Sequence, residues 1–117
     1  MKVPYIYRAH VTEIYDADTI TVTVDQGFHG SLEELKIRLF GINAPEVRGP
    51  ERPEGLISRD WLREQILGKD IIMQTFKAGR GKGKYGRWLA NIYRSEGDEI
   101  SLNDEMINLG LAKAADY

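Results

Sequence analysis

The chain of 117 residues contains no cysteine. That absence excludes a disulfide scaffold, cysteine-ligated zinc and thiol catalysis. It does not fix the compartment, because a packed domain of this length needs no covalent staple. No run of 18 apolar residues occurs, so no membrane-spanning helix is expected. Pro4 and Arg8 interrupt anything that would serve as the apolar core of a signal peptide, and for a complete chain the expected location is the cytoplasm. Acidic residues are missing from one whole stretch, Ile71 to Ser95, which holds Lys77, Arg80, Lys82, Lys84, Arg87 and Arg94. The stretch carries +6, and the remainder of the chain carries −8, within a net charge of −2. A local basic stripe attracts a polyanion even when the total charge is negative; a solvated basic loop is the plain alternative.

Hydrophobic residues make up 42% of the chain and charged residues 29%, the balance of a globular protein rather than a disordered one. The length suits one domain over residues 1–117. Tyr5–Tyr15 and Asp18–Asp25 are rich in β-branched and aromatic residues, and in the second run Ile20, Val22 and Val24 alternate with threonines, a half-buried strand pattern. Asp16-Ala17 breaks the two, giving a hairpin. Gln26-Gly27 through Gly30-Ser31 reads as a turn region. Leu35–Ile42 alternates again and ends at Pro45, followed by a loop over Arg48–Pro53. Glu54–Leu67 carries Ile57, Trp61, Leu62 and Ile66 at helical spacing, with Gly68 placed to stop the helix. Asp70–Phe76 and Trp88–Tyr93 are strand-like. The four glycines of Ala78–Gly86 predict a flexible loop between them. Ser101 N-caps a second helix over Ser101–Leu109, stopped by Gly110. Five strands and two helices in this order predict a five-stranded β-barrel with α-helices, the OB-fold. Ile20, Val22, Val24, Ile37, Leu39, Ile71, Leu89 and Ile92 are expected inside, and Trp61 and Leu62 should pack the first helix on the barrel.

Three segments between them supply carboxylates and arginines. Asp16-Ala17-Asp18-Thr19 lies at a strand-to-strand turn. Arg38-Leu39-Phe40-Gly41-Ile42-Asn43-Ala44-Pro45-Glu46 closes a strand, and Lys84-Tyr85-Gly86-Arg87 closes the basic loop. The side chains of Asp18 and Asn43 and the carbonyl of Ala44 are hard oxygen donors, suited to Ca²⁺ or Mg²⁺ rather than Zn²⁺. Turn aspartates more often bond their own backbone, and an arginine in an alternating strand more often faces water. Two arginines meeting on one phosphate, with a hard cation and Glu46 to take a proton from water, would serve phosphodiester hydrolysis.

Taken together and in order, these segments resemble the staphylococcal nuclease (thermonuclease) family. The third continues as Lys84-Tyr85-Gly86-Arg87-Trp88-Leu89-Ala90-Asn91-Ile92-Tyr93, and Leu109-Gly110-Leu111-Ala112-Lys113 is similar to the family's sequence after its second helix. The resemblance runs from about Tyr5 to Lys113 and implies the same OB barrel. It implies a Ca²⁺-dependent endonuclease acting on DNA and/or RNA and leaving 3′-phosphates. By position Asp18, Asn43 and the carbonyl of Ala44 match metal ligands, Glu46 the general base, Arg38 and Arg87 the phosphate-binding arginines, and Tyr85 a residue at the nucleotide phosphate. Lys82 and Lys84 would add charge along the nucleic-acid backbone. No membrane association is expected, and the protein is expected to be a monomer. Three features depart from the family. Asn43 stands where Asp is common, the first turn is Asp-Ala-Asp rather than Asp-Gly-Asp, and the chain ends at Tyr117 with Asp116 near a position often held by a base-stacking Tyr. The short form and Asn43 are similar to compact nucleases of phage or mobile-element type. A non-catalytic OB module that binds nucleic acid or protein is the alternative reading.

Overall fold

Period-two alternation in β1 (Tyr5–Asp16), β2 (Thr19–Gly27) and β3 (Gly30–Leu39) builds a curled antiparallel meander with one apolar face. The computed structural model describes residues 5–75 and 88–115. After the short β4 (Ile42–Asn43) come α1 (Arg52–Ile66), β5 (Asp70–Thr75), β6 (Trp88–Tyr93), α2 (Leu102–Asn108) and β7 (Lys113–Ala114). The order β1-β2-β3-β6-β5 closes into a barrel, because β5 pairs antiparallel with β1 and β6 pairs parallel with β3. The fold is the expected five-stranded OB-type barrel with two helices. No helix among the described residues is long and apolar enough to cross a membrane.

Ile20, Val22, Val24, Ile37, Leu39, Ile71 and Ile92 are buried as the alternation predicts. Leu89 is not: it is half-buried, and Ala90 and Ile92 are the inward residues of β6. In β1 both Thr12 and Glu13 face out between buried Val11 and Ile14, because the pairing with β2 slips there by one residue. Such a bulge sharpens the bend of a barrel strand. Arg63 of α1 donates twice to the Ile14 carbonyl at that bend, at 3.2 and 2.8 Å.

The broad turn expected around Gln26–Ser31 is a two-residue hairpin loop, Phe28-His29, flanked by the Gly27–Gly30 pair. Both loop residues have positive φ, 53° and 64°, the geometry that matches strand twist and usually takes Asn-Gly. With non-glycine residues there, local propensity gave no tight-turn signal. Likewise β3 stops at Leu39, where Gly41 at φ 77° turns the chain into β4.

Helix α1 begins two residues before the expected Glu54, since Pro53 is tolerated in a first turn. Its buried face is Gly55, Ser58, Leu62 and Ile66. Trp61 packs half-buried at the edge of the core, and Ile57, counted in the apolar stripe from sequence, is 63% exposed. Gly68, at φ 75°, ends the helix as expected. In α2 the Ser101 hydroxyl accepts from the Asp104 N–H at 3.1 Å, the expected N-cap. The next residue but one, Asn103, is 1% exposed. It accepts from the Ile92 N–H at 3.0 Å and donates to the carbonyls of Phe40 and Ala90 at 2.9 and 3.1 Å. One amide thus locks α2 to the parallel seam between β3 and β6.

Candidate functional site

The two hairpin ends that carry the candidate residues meet beside that seam. Asp18 sits in the β1–β2 turn, and the Leu39 N–H donates to its carbonyl at 2.8 Å, so the turn is fastened to the end of β3. Ala17 is fully buried there and has no positive φ, so the turn keeps ordinary backbone without a glycine. Arg38, expected on the water side of β3, is only 8% exposed. The outer face of β3 is covered at this end by the Asp18 turn and by the Ile42–Ala44 segment folding back past Gly41, so strand alternation does not decide its exposure.

Arg38 Nη1 lies 2.5 Å from Asp18 Oδ2. Its Nη2 donates to the Ile42 carbonyl at 3.1 Å and reaches Asn43 Oδ1 at 3.5 Å. Asp18 Oδ2 also accepts the Ala44 N–H at 2.8 Å, and Oδ1 accepts the Thr19 hydroxyl at 3.1 Å. Asp18, Arg38, Asn43 and Ala44 therefore form one cluster, the first two buried and Asn43 exposed.

The segment that follows is held through its backbone by carboxylates. The N–H of Ala44 goes to Asp18, that of Glu46 to Glu51 at 3.2 Å, and that of Val47 to Asp16 at 3.2 Å; Pro45 has none to place. Arg52 closes the loop by donating to the Val47 carbonyl at 3.2 Å. The Glu46 side chain is left exposed beside the cluster. Asp16 does more than form a turn. Burial pushes its carboxyl above the ordinary value, and the negative charges of Asp18 and Glu46 push the same way; the Val47 N–H and Arg48 oppose them. Arg48 bonds the Tyr15 hydroxyl and lies over the Tyr15 ring, 5.4 Å from its centroid.

Helix α1 presses on this loop at Gly55. A Cβ there would overlap the Glu46 carbonyl and stand 2.9 Å from the Pro45 oxygen. The available signal was a glycine inside a helix, which usually marks close packing. Asn103 and Glu51 carried no such signal. Lys82, Lys84, Tyr85 and Arg87, with the Ala78–Gly86 loop, lie outside the described residues. Trp88, the first residue of β6, pairs with Ile37, next to Arg38.

A family profile described as staphylococcal nuclease homologue matches residues 36–117. The chain belongs to this staphylococcal nuclease homologue family. Arg38, Asn43, Ala44, Glu46, Lys82, Lys84, Tyr85 and Arg87 fall inside the matched span; Asp18 precedes it and is joined to the cluster by tertiary contact. An uncharacterized protein of Methanocaldococcus jannaschii is 25% identical over 127 aligned positions, which cover 92% of this chain and 58% of that protein. The chain thus spans little more than half of that relative.

A cation here would find the side-chain oxygens of Asp18 and Asn43 and, beside them, the Ala44 backbone, whose N–H is given to Asp18; such oxygens are the hard donors that Ca²⁺ takes. They fit it in kind, and a positive group, the Arg38 guanidinium, is already seated against two of them. The set is poor in charge: among the described residues no three His, Cys, Asp or Glu side chains are grouped to hold a metal ion.

Proposed function

We propose that this chain is a Ca²⁺-dependent phosphodiesterase, an endonuclease cleaving DNA and/or RNA to 3′-phosphate products. The observation that carries the reading is the gathering of Asp18, Arg38, Asn43 and Ala44 in one cluster with the Glu46 carboxylate exposed beside it. Family membership supports it at the coarser level of a nuclease-type domain. Asp18, Asn43 and the Ala44 carbonyl would hold Ca²⁺, which when bound lowers the charge on the phosphate. Arg38 and Arg87 would hold the phosphate oxygens through planar, paired N–H groups. Glu46 would take the proton from the attacking water; its backbone is fixed by Glu51 and by the floor of α1, so its carboxylate works from a rigid base. Lys82, Lys84 and Tyr85 would follow the neighbouring backbone phosphates.

A second reading, a nucleic-acid- or protein-binding module without catalysis, is favoured by Asn43 and the charge-poor donor set. Supercoiled plasmid, single-stranded DNA and RNA incubated with Ca²⁺ or with chelator separate the two. Ca²⁺-dependent nicking with 3′-phosphate ends, lost by a factor of about 10²–10⁴ in Glu46→Gln, is the expected result. Binding without cleavage would select the module.

A further inference from the structure

The nuclease reading assigns Asp18 and Asn43 to a cation and Arg38 to a phosphate, yet the three are already engaged with one another. Asp18 Oδ2 lies 2.5 Å from Arg38 Nη1, and Asn43 Oδ1 lies 3.5 Å from Arg38 Nη2. Two of the three oxygens offered to a divalent cation thus face a single guanidinium. The Asp18 and Arg38 side chains are 7% and 10% exposed, so water screens their attraction little. Within the contact itself Asp18 and Arg38 balance and Asn43 adds no charge, while the carboxyls of Asp16 and Glu46 stand close by. A carboxylate at position 43 would add a negative charge to draw a cation in; the amide adds none. The Ile42 carbonyl, accepting from Nη2 at 3.1 Å, also holds the guanidinium in this place.

We propose that Arg38 is the resident counter-cation of this site and competes with a divalent cation for Asp18. The cation gains Asp18 as the guanidinium gives it up. A phosphate oxygen that accepts from Arg38 favours that exchange, so cation and phosphate promote each other's binding through one arginine. The inference rests on the Ca²⁺ reading of the same cluster, and it makes a prediction of unusual sign. Removing a positive residue needed for the reaction should strengthen the metal site.

The test is calorimetric titration of Ca²⁺ alone into the whole chain, with no nucleic acid, for the native protein, Arg38→Gln, Arg38→Lys and Asp18→Asn. Deleting one charge in contact with the shared carboxylate should lower the Ca²⁺ dissociation constant about tenfold or more. Arg38→Lys, which keeps the charge, should bind as the native chain does, and Asp18→Asn should not bind. If Arg38→Gln is unfolded in chelator, Ca²⁺ is titrated against its circular dichroism, and refolding below the Ca²⁺ concentration that half-saturates the native chain is the supporting result. The proposal is overturned if Arg38→Gln binds no tighter than native, if neither binds, if Arg38→Lys tightens as much as Arg38→Gln, or if Ca²⁺ fails to refold an unfolded Arg38→Gln. Plasmid nicking by the native chain keeps the two ideas apart. Nicking without tightening in Arg38→Gln leaves the nuclease and removes the competition. Tightening without nicking does the reverse.

Discussion

Asp18 has the most demanding place of any residue in the cluster. Its carboxylate is the partner of Arg38, of the Ala44 N–H and of the Thr19 hydroxyl, at 5% exposure. Asp18→Ala therefore takes the carboxylate from a buried guanidinium and from a backbone donor together. Removing one member of a buried ion pair costs about 3–5 kcal/mol, and urea denaturation in chelator should show a loss on that scale. Asp16 behaves in the opposite way. Its folded carboxyl titrates above the ordinary value, chiefly through burial and then through Asp18 and Glu46. The folded state thus takes up the Asp16 proton more readily than the unfolded chain does. Holding the carboxylate ionised costs stability above the raised folded value, and the cost is relieved as pH falls through it. Asp16→Asn, whose amide oxygen can still accept from Val47, should raise the melting temperature at neutral pH in metal-free buffer. The gain should shrink to nothing as the pH falls to the ordinary carboxylate range. An equal gain at both pH values would show that the charge of Asp16 is not what strains the site.

The elements meet at the cluster through contacts that no single element announces. Helix α1 touches the Pro45-Glu46 backbone at Gly55, and the fit leaves no room for a methyl group. In an exposed helix Gly→Ala gains about 1 kcal/mol. Here overpacking should outweigh that gain and cost about 1–3 kcal/mol net, while displacing the Glu46 backbone. Denaturation midpoint and nicking rate measured on Gly55→Ala should both fall. A stabilised variant would mean that helix and loop separate easily. Asn103 makes the corresponding lock on the other side, tying α2 to the seam where Arg38 emerges from β3. The site is therefore held between two helices as well as on two strand ends.

At the scale of the molecule, the chain separates its charge: +6 over Ile71–Ser95 against −8 elsewhere. In the proposed function the basic segment would supply the contact with a polyanion, and the acidic remainder would limit nonspecific attraction. Each lysine that neutralises a phosphate adds about 0.9 to the slope of log affinity against log salt on duplex DNA. Replacing Lys82 and Lys84 by alanine should flatten that slope by up to about 2 and weaken all sequences alike, since phosphate contacts carry no base readout. Binding isotherms at several salt concentrations measure it. An unchanged slope would place the lysines away from the bound strand.

Local sequence determined the strands, the helix stops and the barrel, because burial of one face imposes a period of two on a strand and 3.6 on a helix. Ile20, Val22 and Val24 could be placed inside from their alternation alone, and Ser101 at a helix start from its hydroxyl. The motif spacing likewise singled out Asp18, Arg38, Asn43, Ala44 and Glu46. Spacing says nothing about which side of a strand a later segment will cover. That is why Arg38 reads as a surface residue in sequence and is buried in the fold, and why Leu89 is expected in the core and is only half-buried. Only the tertiary structure decided that the Asp18 turn and the Ile42–Ala44 return close over Arg38. The same closure turns two motifs 20 residues apart into one ion pair. It places Asn43 against the guanidinium, and sets Gly55 under Glu46. Each of these follows from where the barrel's closure and the helix crossing put distant backbone in contact, a property of packing that no window along the chain contains.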